Sequence, residues 1–245
     1  MHLHDRIIPY LKTADLYHLA RLNSQWFWVD EPLLKAFIER WRPEMHTFHM
    51  PFGECSITLQ DVAYQLGLPI DGEPVSGCLT EFENLMEHGK PAWVWFCELF
   101  GELPLQSKVK QMTVCYTWFH ERFRVLPADA TDETVRIYAR AYILMLLSSQ
   151  LFADKNANRV HLRWLPYLAS LDDLGRYNWG SAALAWLRPS GFDVFGFHLA
   201  SRWATFLLRN DPGDQRSVSA RLSLDRLRVH DESHLVIALS FSGLC

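Results

Sequence analysis

The sequence predicts a mainly α fold, a single helical domain with one small β-hairpin. Apolar residues recur at helical spacing along most of the chain, between capping residues and glycine or proline stops. A strand-like pattern around a tight turn stands out in one stretch. The 245 residues are 49% hydrophobic and include ten Trp and fifteen Phe, which is enough apolar material to bury a core. We expect the helical domain to cover residues 1–187 and a poorly ordered tail to cover 188–245.

Two helices are predicted at the start of the chain. Thr13 or Asp15 opens a short helix through the run LYHLARL. Asp30 caps a second helix, EPLLKAFIERW, which has Pro32 in its first turn. The apolar stripe of this helix reaches Trp41, so the helix should continue to that residue.

A small hairpin is predicted next, in MHTFHMPFGECSI from Met45 to Ile57. Thr47 and Phe48 favour strand conformation before the turn, as Ile57 does after it. The central Pro51-Phe52-Gly53 supplies the residue types that tight turns prefer.

The following stretch, ECSITLQDVAYQLGLPIDGEP, has the pattern of the first helix and turn of a DNA-binding helix-turn-helix. Thr58 can cap a helix that carries Asp61 in its first turn. Gly67 ends this helix before Pro69. One face of the helix is apolar, with Leu59, Val62, Ala63 and Leu66.

Three more helices are predicted in the middle of the chain. Thr80 and Glu83 form a capping box for a helix that Gly89 ends. The runs PAWVWFCELFG and LQSKVKQMTVCYTWFHERF are also apolar at helical spacing.

A long helix is predicted at the centre of the domain. Asp132 caps it and it continues to about Phe152, with a middle that is apolar on every side. Two shorter helices follow, HLRWLPYLASL and YNWGSAALAWL, the second beginning near Ser181. From Arg188 onward, glycine, proline and serine interrupt the pattern.

Charge argues against DNA reading by the helix and turn that begin at Thr58. A recognition helix brings Lys or Arg to phosphates, because counterion release provides much of the affinity. Neither residue type occurs between Arg42 and Lys90. The acidic residues of that interval are Glu44, Glu54, Asp61, Asp71, Glu73, Glu81, Glu83 and Glu87. We therefore expect a structural helix and turn.

Candidate chemical groups are few. His46 and His49, with Cys55, would approach a zinc ion if the hairpin brought them together, but a fourth ligand is not evident. Asp172 and Asp173 are a candidate carboxylate pair, although adjacent residues of a helix or turn diverge. Glycine-framed serines, Cys-His signatures and phosphate-binding glycine loops do not occur.

Composition limits the binding partners and the cellular compartment that we expect for the protein. A formal net charge of -4 predicts no general attraction to nucleic acid or to anionic membranes. The most apolar run, AYILMLL, is far shorter than the ~20 residues of a membrane span. Five widely spaced cysteines without a Cys-x-x-Cys pair favour a reducing, intracellular compartment.

Several blocks resemble one family, the plant mobile domain. The blocks are YLKTADLYHLARL, LLKAFIERWRPEMHTFHMPFGECSITLQDVAYQLGLPIDGEPVSG, RIYARAYILMLLSSQLFADK and HLRWLPYLASLDDLGRYNWGSAALAWL. They cover about Asp5 to Leu187 in family order, and the run from Trp41 to Gly77 is the most specific. After Leu187 the chain departs from the family pattern, which continues there with further helices, so we expect a truncation, a frameshift or an altered splice.

The resemblance implies a helical domain of plant nuclear proteins and transposable elements, with roles in silencing, genome integrity and meristem maintenance. Some members occur beside a protein-phosphatase-like partner or fused domain. The family is also labelled aminotransferase-like, but such enzymes need a Schiff-base lysine and groups that hold pyridoxal phosphate. The lysines here are Lys12, Lys35, Lys90, Lys108, Lys110 and Lys155, and none has a recognisable cofactor setting. We expect no cofactor and no enzymatic activity.

The leading hypothesis is a non-enzymatic nuclear interaction module that acts through protein partners in silencing or developmental maintenance. The alternative is a transposon-derived nucleic-acid-binding domain, which requires several arginines to converge on one face. Those arginines are Arg122, Arg124, Arg136, Arg140, Arg159 and Arg163. An undetected hydrolase is a third class, which a deep polar pocket with convergent titratable groups would favour.

Overall fold

The computed structural model describes residues 3–24, 30–42, 44–45, 47–75, 92–153, 158–187 and 215–226. The chain divides into two compact units. The central unit contains the described residues of 1–25 and 67–182, and the hairpin unit contains those of 26–66 and 183–243.

Helices predominate in the described residues, which confirms the mainly α prediction. They are α1 Ile8–Thr13, α2 Tyr17–Asn23, α3 Glu31–Ile38, α4 Leu59–Leu66, α5 Ala92–Phe100, α6 Tyr116–Phe123, α7 Asp132–Leu146, α8 Leu165–Ala169, α9 Trp179–Leu187 and α10 Gln215–Asp225. Short 3₁₀ turns occur at Asp5–Ile7, Gln106–Lys108, Leu162–Trp164 and Leu171–Arg176, and α7 continues into a π-helical turn, Leu147–Leu151. Within these ranges, no helix combines the length and the apolar character that a membrane crossing requires.

The predicted hairpin is present as β2 (Thr47–Met50) and β3 (Gly53–Cys55), paired antiparallel with Phe48 opposite Cys55. A third strand, β1 (Trp41–Arg42), extends it on the other side of β2. The prediction that α3 reaches Trp41 was therefore wrong. The helix ends at Ile38, and Trp41 instead packs edge-on against Phe48, with ring centroids 4.8 Å apart.

The caps of the hairpin unit agree with the sequence prediction. Asp30 Oδ1 accepts a hydrogen bond from the backbone N–H of Leu33, 3.0 Å away, at the start of α3. At the start of α4, Asp61 Oδ2 accepts from the backbone N–H of Thr58 at 2.7 Å, and Thr58 Oγ1 accepts from the N–H of Asp61 at 3.2 Å. This reciprocal pair is a capping box with Asp in place of Glu.

Helix α7 lies in the core of the central unit, as predicted, and every residue from Tyr138 to Leu146 is buried. Its cap is one residue earlier than expected: Thr131, and not Asp132, accepts a hydrogen bond from the N–H of Thr134. Helices α5 and α6 contribute an aromatic cluster, in which Phe100 and Phe119 meet edge-on with centroids 5.4 Å apart.

The structure contains a second antiparallel sheet, whereas the sequence predicted a single hairpin. It consists of β4 (Val109–Lys110), β5 (Thr113–Cys115) and β6 (Arg159–His161), in the order β4-β5-β6. The run LQSKVKQMTVCYTWFHERF is therefore a helix only from Tyr116. Gln111, at φ 52°, turns the chain between β4 and β5, and Val114 pairs with Val160, where both side chains are fully buried. β-branched residues favour this pleated, buried setting over a helix.

The end of the central unit follows the sequence prediction closely. Helix α8 lies in the predicted run, and α9 begins at Trp179, two residues before Ser181. Asn178 Oδ1 accepts a hydrogen bond from the N–H of Ser181, 2.7 Å away. The capping box predicted for Thr80 and Glu83 lies outside the described residues. So does most of the predicted tail, except for residues 215–226, which contain α10.

Candidate functional surfaces

The segment after α4, residues 68–74, bends at Asp71 and Gly72 and forms backbone hydrogen bonds with residues at the start of α9. The N–H of Glu73 donates to the carbonyl oxygen of Arg176, and the N–H of Asn178 donates to that of Glu73, both at 2.8 Å. The N–H of Gly180 donates to the carbonyl oxygen of Pro69, also at 2.8 Å. This pairing occupies the stretch in which a recognition helix would begin.

Two glycines allow the close backbone approach at this junction. Gly72 has φ 104°, and a Cβ atom there would lie 2.2 Å from the carbonyl oxygen of Arg176. A Cβ atom on Gly180 would lie 2.9 Å from the carbonyl oxygen of Pro69. The Asn178 side chain adds a 2.6 Å hydrogen bond to the carbonyl oxygen of Ile70. The geometry favours a structural helix and turn over a DNA-reading one.

The hairpin separates the two predicted zinc ligands that the structure describes. Strand pairing sets His49 opposite Glu54 and Cys55 opposite Phe48. Because successive strand residues point to opposite faces, the imidazole of His49 and the thiol of Cys55 lie on different sides of the sheet. His46 lies outside the described residues, and the described part of the chain contains no group of three or more potential metal ligands.

The adjacent carboxylates diverge, as their spacing predicts. Asp172 Oδ2 accepts a hydrogen bond from Arg136 at 3.1 Å, whereas Asp173 Oδ2 accepts from the Ser170 hydroxyl at 2.7 Å. The bond to Asp172 raises the pKa of Arg136, and burial opposes this. The two carboxylates thus have different local partners.

The first two arginines of the nucleic-acid alternative lie at the end of α6. Arg122 Nε forms an ion pair with Glu102, and its guanidinium lies 5.4 Å from the centre of the Phe123 ring. Arg124 is exposed directly after the helix. Arg124 alone of these two is positioned to meet a phosphate without first breaking an ion pair.

The next two, Arg136 and Arg140, are one turn apart on α7. Arg136 binds Asp172, as described above, and lies 5.8 Å from the centre of the Tyr10 ring. Arg140 is only 8% exposed and donates from Nε to the carbonyl oxygen of Leu168 at 3.2 Å. It holds α7 to α8 and presents little charge to solvent.

Arg159 and Arg163 lie in and after β6. Arg159 donates to the hydroxyl and the carbonyl oxygen of Thr113 at 2.5 and 3.0 Å, and to the carbonyl oxygen of Lys108 at 3.3 Å. A terminal nitrogen of Arg163 lies 2.9 Å from Nε2 of His161. Five of the six arginines thus interact with protein groups. The sequence could not reveal this, because most of these contacts are distant along the chain.

A small polar cleft beside the π-helical turn was not evident from the sequence. It is lined by Asn23, Tyr116, Tyr142 and Ser149 together with the apolar Met145 and Leu146, and its volume of about 10 Å³ suits one water molecule. Burial raises the pKa of Tyr142 to about 12, and a hydrogen bond with Asn23 opposes that rise. The phenol is therefore neutral at physiological pH, and the cleft is too small for a substrate.

Comparison with known proteins decides the family. The family model described as plant mobile domain matches residues 15–188. The chain belongs to the plant mobile domain family. The resemblance inferred from the sequence blocks is thereby confirmed, and the match ends at the point where the sequence departs from the family pattern. Helix α10 lies beyond this plant mobile domain match.

Curated relatives of this plant mobile domain come from Arabidopsis thaliana. The chain is 41% identical over 160 residues to "Serine/threonine-protein phosphatase 7 long form homolog". This alignment covers 65% of the chain and 11% of that relative. It is 39% identical over 162 residues to "Protein MAIN-LIKE 1", an alignment that covers 65% of the chain and 30% of that relative. It is 35% identical over 159 residues to "Protein MAINTENANCE OF MERISTEMS", an alignment that covers 65% of the chain and 32% of that relative. The matched segment is thus a minor part of each relative. No solved structure matches the chain.

The plant mobile domain exposes several large apolar side chains close in sequence to Arg122 and Glu102, which form an ion pair. Leu103 directly follows Glu102, and Val125 lies three residues after Arg122; they are 53% and 68% exposed. Leu105 is 66% exposed. We call Leu103, Leu105 and Val125 the loop surface. Exposed large apolar side chains that lie together are typical of protein-binding surfaces.

Proposed function

We propose that this plant mobile domain is a non-enzymatic, nuclear protein-interaction module that acts in gene and transposon silencing and in meristem maintenance. The observation that carries the interaction role is the loop surface, where three large apolar side chains are exposed in the stretches that contain Glu102 and Arg122. The name "Protein MAINTENANCE OF MERISTEMS", borne by a relative with 35% identity, supports the developmental setting.

The partner we propose is a protein-phosphatase-like nuclear protein. The support is the name of a relative, "Serine/threonine-protein phosphatase 7 long form homolog", which contains a segment 41% identical to this chain. That segment occupies 11% of the relative, so the remainder of its length lies beside a plant mobile domain in one chain. Two segments that occur together in one chain of a relative can also act together as separate chains, and we propose that arrangement here.

The placement of the candidate chemical groups supports a non-enzymatic role. Asp172 and Asp173 have separate partners, and His49 and Cys55 lie on opposite faces of the hairpin. The tyrosine cleft suits a single water molecule. Catalysis requires a nucleophile, base or metal that converges on space for a substrate.

Nucleic-acid binding is less well supported than protein binding. A guanidinium that pairs with a carboxylate must lose that pair before it neutralises a phosphate. Arg122, Arg136 and Arg140 each pair with a carboxylate, of Glu102, Asp172 and Glu133 respectively. Arg159 is occupied by the second sheet.

Affinity purification from plant nuclei with quantitative mass spectrometry tests the protein-interaction role. We expect Leu103→Asp with Leu105→Asp to lose specific partners that the unaltered chain retains, because two charges would enter an apolar contact. The matched control, Gln106→Asp with Ser107→Asp, adds the same charge at exposed neighbouring positions and should retain them. Equal recovery of every partner by both variants would refute a role for the loop surface.

A further inference from the structure

Helix α10 packs on α3 within the hairpin unit, although it lies outside the family match. Ala220 and Leu224, one turn apart on α10, are 8% and 3% exposed. They join one buried cluster with Ala36 and Phe37 of α3 and with Phe48 and Met50 of β2. A helix from beyond residue 188 therefore contributes two side chains to the core of the hairpin unit.

Charged groups fix the direction of α10 on this surface. Arg221 donates from Nε to Glu39 Oε2 at 2.7 Å and from a terminal nitrogen to Glu39 Oε1 at 2.8 Å. A terminal nitrogen of the neighbouring Arg40 pairs with Asp225. Helix α10 contributes the cation of the first ion pair, Arg221, and the anion of the second, Asp225, and these two residues lie one turn apart. A reversed helix would bring like charges together, so the surface selects both a pattern and an orientation.

The described side chains of α10 divide between the core and the solvent. Ala220 and Leu224 enter the core, and the two ion pairs are partly exposed at its edge. Val218 and Leu222, also one turn apart, remain 42% and 48% exposed. A helix with the same pattern of side chains can therefore make the same described contacts with α3 and β2.

We propose that α3 and β2 form a helix-binding surface, which α10 occupies as an intramolecular ligand and which a helix of a partner protein takes by displacing it. The partner helix carries a small residue and Leu at positions i and i+4, Arg at i+1 and Asp or Glu at i+5. These positions correspond to Ala220, Leu224, Arg221 and Asp225. The site involves other residues than the loop surface and stands whether or not the loop surface binds a partner.

A labelled peptide of residues 213–228 tests the site by fluorescence anisotropy with the full chain. Leu224→Asp in the chain should displace its own α10 and bind the unaltered peptide at least about tenfold more tightly than the unaltered chain does, a factor that corresponds to ~1.4 kcal/mol. Arg221→Glu in the chain, a surface change, should act in the same direction. Leu222→Asp is the matched control, because Leu222 is exposed, and it should leave peptide affinity unchanged.

Charge exchange tests the recognition pattern. The chain with both Leu224→Asp and Glu39→Arg should bind the unaltered peptide more weakly than the chain with Leu224→Asp alone does, and it should regain affinity for the peptide with Arg221→Glu. Circular dichroism of each variant verifies that it is folded. Equal peptide affinity of folded Leu224→Asp, Arg221→Glu and unaltered chains would overturn the proposal. A dimer of the unaltered chain that Leu224→Asp dissociates would also overturn it, because the occupant would then be a second copy.

Discussion

A Cβ atom on Gly72 would lie 2.2 Å from the carbonyl oxygen of Arg176. The same carbonyl oxygen accepts the N–H of Glu73 at 2.8 Å. The strand-like segment after α4 and the residues before α9 can thus approach only because residue 72 has no side chain. The family block that resembles a helix-turn-helix in sequence serves this backbone contact in the structure.

Gly72→Ala should destabilise the central unit much more than Gly101→Ala. Both glycines have positive φ, 104° and 83°, so both substitutions introduce backbone strain of about 1–3 kcal/mol. A Cβ atom on Gly101 meets nothing within 4 Å, whereas one on Gly72 must displace backbone, at an added cost of about 1–3 kcal/mol. Urea unfolding of the two variants measures the difference. Equal losses of stability would show that the backbone at the junction moves to accept the Cβ atom with no additional loss of unfolding free energy.

Thr131→Ala should lower the free energy of unfolding by about 1 kcal/mol, because it removes the hydrogen bond that caps the central helix. Asp132→Asn is the informative comparison. The sequence pattern points to Asp132 as the cap, but in the structure its carboxylate is almost fully exposed and reaches Arg6 at 3.1 Å. Thermal unfolding should therefore respond less to Asp132→Asn than to Thr131→Ala, and the opposite ranking would restore Asp132 as the cap.

Tyr142 should make stability fall with pH above the ordinary tyrosine pKa. Burial raises its pKa from 10.0 to about 12 in the folded protein. Between these values the unfolded chain releases the phenolic proton and the folded chain keeps it, so rising pH favours unfolding. Stability present below pH 10 is lost progressively toward about pH 12. Urea midpoints across that window should decline less for Tyr142→Phe than for the unaltered chain, and parallel declines would contradict the assignment.

Local signals were sufficient to predict much of this fold from the sequence. The caps at Asp30 and Thr58, and the turn at Pro51 and Phe52 between two short strands, depend on residues within a few positions of one another. Such interactions form wherever the local sequence allows them. For this reason α3, α4 and the hairpin were recognisable before any tertiary contact was known.

The second sheet and the arginine contacts depend on distant residues. Val114 pairs with Val160, and the residues close to Val114 in the sequence do not identify that partner. Arg140 resembles a solvent-facing residue of a helix, yet it donates to the carbonyl oxygen of Leu168, 28 positions away. Tertiary context overrides the local helical pattern at such positions. The candidate nucleic-acid site was the least predictable feature, because burial and ion pairing decide which arginines remain available.

Binding to double-stranded DNA should be weak and independent of sequence. The net charge is -4, and the residues after α4 form a backbone junction where a recognition helix would begin. Gln60→Ala and Gln65→Ala, on the helix that resembles the first of a helix-turn-helix, should therefore leave affinity unchanged. Electrophoretic mobility and anisotropy measurements at several salt concentrations give both the affinity and its salt dependence.

Arg124 provides the control for that experiment, because it is exposed whereas Arg140 is buried and ion-paired. If residual binding is electrostatic, Arg124→Ala should reduce the slope of log affinity against log salt by about 1, the contribution of one phosphate contact. Arg140→Met should leave the slope unchanged and act on stability instead. Nanomolar, sequence-specific binding at physiological salt that is lost on Gln60→Ala or Gln65→Ala would contradict the prediction of weak, sequence-independent binding. The two amides would then contact bases, and the backbone junction would support a DNA-recognition element.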